Sequence, residues 1–102
     1  MIKIALFCAA GMSTSLLVTK MEKAAKAKGL EVEIEAFPEA QMSKHLDGVE
    51  VALLGPQIRY VLPKAKKTCG ALGIPVAVIA SVDYGMMNGA KVLESALKLI
   101  DK

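Results

Sequence analysis

Tryptophan is missing from this chain, and tyrosine and phenylalanine occur only twice each. With so few rings there is no platform on which nucleic acid bases could stack. Arg59 is the sole arginine, and thirteen Lys plus Arg against ten Asp plus Glu leave a net charge of only +3. The lysines gather into no run of the kind that phosphate backbones require. The densest group, Lys64, Lys66 and Lys67, reads as a solvated helix face, so no nucleic acid partner is expected. No apolar run approaches the roughly 18–20 residues that span a bilayer. The opening Met1-Ile2-Lys3-Ile4 lacks the basic region and long apolar stretch of a secretory signal. A cytoplasmic chain with no direct membrane insertion is the expectation. Cysteine occurs twice, at Cys8 and Cys69, with no Cys-x-x-Cys and one histidine, His45. That excludes a structural zinc site of the usual spacing, and in a reducing compartment the two thiols are expected unpaired. Neither a metal nor a cofactor is expected.

What is present is a chain of 102 residues, 54% apolar, rich in Ala, Val, Ile and Leu. Residues 1–102 fit one domain whose helices pack on a sheet. Residues 2–7 read as a short apolar strand ending at Cys8. Ser13, Thr14 and Ser15 are N-cap candidates for a helix to about Lys28, with Leu16, Leu17, Met21, Ala24 and Ala25 at helical spacing; Gly29 stops it. Residues 30–36 alternate apolar with Glu31, Glu33 and Glu35, which predicts an edge strand with one wet face. Phe37-Pro38 ends that strand. A short helix is expected over residues 39–46, a turn at Asp47-Gly48, and a strand over 49–54. After Gly55-Pro56, a helical stretch to about Leu72 is expected to kink at Pro63. Gly73-Ile74-Pro75 leads into a strand over 76–80, and a last helix runs from about Tyr84 or Met86 to Ile100.

The alternation predicts an α/β fold: a single-domain four-stranded parallel sheet with helices on both faces and right-handed crossovers. The apolar strands at 51–54 and 76–79 are expected to be central and the acidic one peripheral.

In open α/β sheets, ligands bind beyond the carboxyl ends of the strands. Three loops qualify: residues 8–15, 55–57 and 81–85. In the first, Cys8 follows a strand directly, Gly11 stands three positions later, and three hydroxyl residues open the helix. Unpaired N–H groups of a helix's first turn carry about half a positive charge and can cradle a tetrahedral anion. The same field lowers the pKa of a nearby thiol, and the thiolate is the nucleophile. A cysteine at a strand end can equally be a small buried apolar residue, and the residues alone leave both readings open. A nucleotide-binding loop needs a lysine after its second glycine, and none follows Gly11. A cysteine phosphatase loop of the form Cys-x5-Arg needs an arginine six positions beyond Cys8, where Thr14 stands.

Leu6-Phe7-Cys8 with Ala10-Gly11-Met12-Ser13-Thr14-Ser15-Leu16-Leu17-Val18, then Ile34-Glu35-Ala36-Phe37-Pro38-Glu39, Leu53-Leu54-Gly55-Pro56-Gln57-Ile58 and Tyr84-Gly85 together resemble one family. It is the IIB components of the sugar phosphotransferase system, of the lactose/cellobiose/chitobiose class. The Gly11–Ser15 form looks like the cellobiose/chitobiose branch. The resemblance implies a phosphoryl group on Cys8, held through the loop residues Ala9, Ala10, Gly11, Met12, Ser13, Thr14 and Ser15. It further implies a histidine-phosphorylated IIA partner as donor and a membrane IIC permease holding the disaccharide acceptor. Gln57 and Tyr84 stand in loops at the same sheet end, either lining the site or serving as turn and packing residues. Two rival readings stand beside this one: a small cysteine phosphatase or arsenate reductase, and a non-catalytic interaction module with Cys8 merely buried. His45 reads as a surface residue away from the site and Cys69 as structural or exposed. Met12, Met86 and Met87 are candidates for a pliable docking surface, and Arg59 and Tyr60 for its rim.

Overall fold

The computed structural model describes residues 2–9 and 15–100. Its sheet is built around β1 (Ile2–Cys8), which pairs in parallel with β2 (Val32–Pro38) on one side and β3 (Val51–Leu54) on the other. β4 (Val76–Val78) pairs in parallel with β3, so the strand order is β2-β1-β3-β4. Among the described residues, four helices accompany the strands: α1 (Ser15–Ala27), α2 (Leu62–Gly70), α3 (Ser81–Gly85) and α4 (Gly89–Ile100).

Successive side chains of a strand point to opposite faces, so β1 packs against two separate layers. Ile4 and Leu6 meet α1 and α4 through Leu17, Met21, Ala25, Val92, Leu93 and Ala96. Ala5 and Phe7 meet the other layer, formed by α2 and two 3₁₀ segments, through Met42, Ile58, Val61, Ala65 and Cys69. All four β1 side chains are at most 1% exposed. Burying each large one stabilises the fold by about 1.5–3 kcal/mol, so β1 is apolar from Ile4 to Cys8, where both its faces are covered.

Gly29 ends α1 as expected. At φ +72° it lets the Leu30 N–H donate to Ala25 O (2.9 Å) and its own N–H to Lys26 O (3.1 Å), closing the last turn onto its carbonyls. The acidic strand β2 is indeed an edge, with Glu33 and Glu35 exposed and Ile34 buried between them.

Several expectations need correction. β4 is the other edge of the sheet rather than a central strand. It is apolar because Val76 and Val78 pack on the α2 layer while Ala77 packs on the α1–α4 layer; its composition reports covered faces, not neighbouring strands. Residues 39–44 are a 3₁₀ segment, shorter than the helix expected. Pro63 does not kink a helix: it lies in the first turn of α2, where an N–H would find no acceptor. The chain breaks earlier, in the 3₁₀ segment Pro56–Val61, where Ile58 leaves helical dihedrals (φ −116°, ψ 27°). The last helix is two helices, α3 and α4, separated by Met87 in the left-handed region (φ 51°). Asn88 then caps α4, its Oδ1 accepting from the Lys91 N–H at 3.2 Å.

No helix among the described residues is long and apolar enough to cross a membrane. Among those residues, no group of three or more His, Cys, Asp and Glu side chains is placed to hold a metal ion.

Candidate functional site

From β1 the chain moves through α1 to β2 on one side, then returns past β1 to β3 on the other. The direction of winding therefore reverses between β1 and β3, and the crevice beyond their carboxyl ends is where such sheets bind ligands. Cys8 is the last residue of β1, opposite Pro38 of β2. It shares the parity of Ile4 and Leu6 and so belongs to the face covered by α1. Its side chain has no solvent exposure, whereas Ala9 is exposed.

α1 begins at Ser15, has no acidic residue in its first turn and carries Lys26 in its last. A carboxylate in that first turn would neutralise the helix's positive end; its absence leaves the field available to an anion. Ser15 is exposed, and its carbonyl accepts a bond from Thr19 Oγ1 at 3.3 Å. The loop residues Ala10, Gly11, Met12, Ser13 and Thr14 lie outside the described residues.

Across the crevice, β3 continues into Gly55, whose N–H donates to Phe7 O at 2.8 Å. Gly55 is buried, and the point where it lacks a Cβ is bordered by two groups of interest. That point lies 3.5 Å from Cys8 Cβ and 2.8 Å from Gln57 Oε1. Pro56 opens the next segment, and Gln57, though exposed, folds its carboxamide back over Gly55. Gln57 and Cys8 are thus neighbours across one glycine. In the sequence Gly55 stands only as punctuation; the cue to its role is the Gly-Pro-Gln run directly after an apolar strand.

α3 stands at the same end of the sheet, after β4. It turns Tyr84 inward, where the ring joins the core shared by α1 and α4 at 8% exposure, and Tyr84 N–H donates to Ala80 O at 2.9 Å. It turns Val82 and the following Met86 outward, 70% and 77% exposed, and Leu16 in the first turn of α1 is 53% exposed. These three exposed apolar side chains lie on or directly after the helices that follow β1 and β4. Met87, by contrast, packs into the core, and Met12 is outside the described residues.

The remaining candidates lie elsewhere. Cys69 is buried on the opposite face, among the α2 residues, and forms no disulfide with Cys8. Burial pushes its thiol up from the ordinary value, so it is held as an unreactive neutral group. His45 is half-buried rather than on the surface. It stacks on Phe37 with ring centroids 3.9 Å apart and planes 5° from parallel, and its Nε2 meets Gln41 Oε1 at 3.2 Å. Arg59 and Tyr60 are exposed.

The site thus comprises a buried cysteine closing the first strand of a parallel α/β sheet, on the face covered by a helix with no acid in its first turn. The sequence matches, over residues 3–95, the model of the family described as PTS system, Lactose/Cellobiose specific IIB subunit. The chain belongs to that family: it is a IIB component of a sugar phosphotransferase system and thus a phosphotransferase. It is 47% identical over 103 residues to a galactose-specific EIIB component of Lactococcus lactis subsp. cremoris, with 96% of this chain and 95% of that one covered. An oligo-beta-mannoside-specific EIIB component of Bacillus subtilis is 40% identical over 98 residues at the same coverage. Among solved structures, a cellobiose-specific IIB component from Borrelia burgdorferi superposes with a TM-score of 0.81 at 42% identity, covering 98% of this chain and 92% of that one. A lactose-specific IIB domain from Streptococcus pneumoniae gives 0.86 at 18% identity, covering 96% of both chains. At that identity the likeness speaks for the fold alone.

Proposed function

We propose that Cys8 is the phosphoryl carrier of this IIB component. In the first half-reaction its thiolate attacks the phosphorus of a phosphohistidine on a IIA partner; the S–P bond forms as the P–N bond breaks, and the imidazole nitrogen keeps the electron pair. In the second, a sugar hydroxyl oxygen on the membrane IIC partner attacks the same phosphorus in line. The O–P bond forms, the S–P pair returns to Cys8 as thiolate, and the hydroxyl proton leaves to a base on the sugar-binding side. The observation that carries this reading is the place of Cys8, at the winding reversal between β1 and β3 and on the face covered by α1.

The residues from Ala9 to Ser15 hold the phosphoryl group, largely through backbone N–H, and Gln57 and Tyr84 line the site. Donor and acceptor visit one cysteine in turn, so their interfaces overlap on the rim of Leu16, Val82 and Met86 and are small and transient. The acceptor is a disaccharide of the cellobiose or chitobiose kind. Support for it comes from the Gly11–Ser15 form and from relatives named for cellobiose and for oligo-beta-mannosides. Residues 1–102 act as one domain, in the cytoplasm, with no resident metal or cofactor.

A hydrolytic reading lacks its clamp, since Thr14 stands where Cys-x5-Arg enzymes carry arginine, and Arg59 belongs to a different segment. The test is intact-mass spectrometry after incubation with a histidine-phosphorylated IIA protein. A gain of about 80 Da that disappears in Cys8→Ser supports the carrier. Brisk turnover of an aryl phosphate with no retained label would favour a phosphatase.

A further inference from the structure

The crevice beside Cys8 is bounded on its β3 side by an uncharged group. Gly55 leaves the space of one methyl between Cys8 and the Gln57 carboxamide, 3.5 Å from the Cys8 Cβ and 2.8 Å from Gln57 Oε1. The Gly55 N–H is fixed on Phe7 O, so the base of this wall is tied to the strand that carries Cys8. The Gln57 carboxamide offers two donors and one acceptor, and it sits close enough that a phosphoryl group on Cys8 Sγ would come within its reach.

The geometry points to Gln57 as the side chain that orients the phosphoryl group on Cys8, supplying a neutral hydrogen bond where Cys-x5-Arg enzymes supply a charged one. The proposal rests on Cys8 being the phosphoryl carrier and deepens that reading. A carrier must accept and then release, so the phosphocysteine must not lie in a deep well. Hydrogen bonds from a guanidinium are roughly twice as strong as neutral ones and are frequently bidentate. Turned about its last side-chain bond so that Nε2 takes the place of Oε1, the carboxamide donates to one phosphoryl oxygen and fixes its direction, and so the line along which S–P forms and breaks, without adding positive charge. Its flexible stem follows the oxygen as phosphorus inverts between donor and acceptor. The glycine before it is required for the approach: a Cβ at position 55 would displace the carboxamide from the crevice.

The experiment measures steady-state phosphotransfer from a histidine-phosphorylated IIA protein through Cys8 to cellobiose in a IIC-containing membrane preparation and, without the acceptor, the ³¹P resonance of the phosphocysteine, in the unaltered chain and in Gln57→Ala and Gln57→Glu. Loss of one oriented donor lowers kcat by about 10-fold or more, and the repelling carboxylate of Gln57→Glu lowers it further. KM for the donor protein stays the same, because docking does not use this side chain, and the ³¹P resonance shifts in both variants. Unchanged kcat overturns the proposal, and so does a fall in kcat with the resonance unmoved, or a change confined to KM. If the unaltered chain takes no label on Cys8, the carrier reading itself fails; if it takes label and Gln57→Ala behaves identically, only the role of Gln57 fails.

Discussion

The first residue of α4, Gly89, rests on the backbone of α1 at Lys20: a Cβ on Gly89 would lie 2.4 Å from the carbonyl carbon of Lys20 and 2.5 Å from the amide nitrogen of Met21. No side chain can yield at such a contact, because the obstructing atoms are main chain. α1 covers the sheet face to which Cys8 belongs, so this close approach ties α4 to the same layer.

Gly89→Ala is therefore expected to destabilise the chain by about 1–3 kcal/mol through overpacking. Helix propensity alone would give the opposite sign, a gain of about 0.4–1 kcal/mol from replacing glycine. Urea unfolding decides between them, and steric exclusion predicts a lower midpoint at unchanged slope.

Cys69 predicts a pH dependence of stability. Burial raises its folded-state pKa above the ordinary 9.0, so the unfolded chain loses this proton first. Its contribution is full below about pH 9 and is lost as pH rises through the folded pKa. Cys69→Ala leaves a small cavity and is less stable at neutral pH, but the gap to the unaltered chain narrows as pH rises above the ordinary 9.0. Urea midpoints across that range check it, and parallel curves would count against it.

His45 supports the fold rather than the chemistry. Stacked on Phe37 at 3.9 Å and 5°, it ties the 3₁₀ segment at 39–44 to the end of β2. His45→Ala is expected to cost about 0.5–1.5 kcal/mol of stability with phosphotransfer unchanged. A thermal melt beside a transfer assay tests both halves.

Val82 and Met86 separate docking from folding. Each is at least 70% exposed, so Val82→Asp with Met86→Asp leaves the melting temperature nearly unchanged. If the rim seats a partner, truncation of such anchors costs on the order of 1–2 kcal/mol, about 10-fold in KM for the donor protein. Unaltered KM would place docking elsewhere.

Much of this architecture is readable in the chain because its determinants are local. Glu31, Glu33 and Glu35 alternating with apolar residues announce a wet edge strand, and Gly29 announces a left-handed helix stop. The misreadings share a cause, which is that local pattern does not encode neighbours. Apolar Val76, Ala77 and Val78 would look the same in a central strand and in a doubly covered edge. Pro63 breaks a helix or begins one according to its place in the turn. Met87 carries no cue for the positive φ that divides α3 from α4. Cys8 stands out as a candidate from its strand end and the hydroxyl-rich run after it, with a small buried apolar residue as the other reading of the same pattern. The nearness of Gly55 and Gln57 to it comes from β3 lying beside β1, a fact of strand order.

The proposed chemistry turns on the Cys8 sulfur. The most direct measurement is peptide-level mass spectrometry of the chain after incubation with a histidine-phosphorylated IIA protein, followed by addition of a IIC-containing membrane preparation and cellobiose. The prediction is one phosphoryl group, about 80 Da, on the peptide containing Cys8, absent from Cys8→Ser and discharged when the acceptor is added. Label on any other residue, or label that persists in Cys8→Ser, would contradict it.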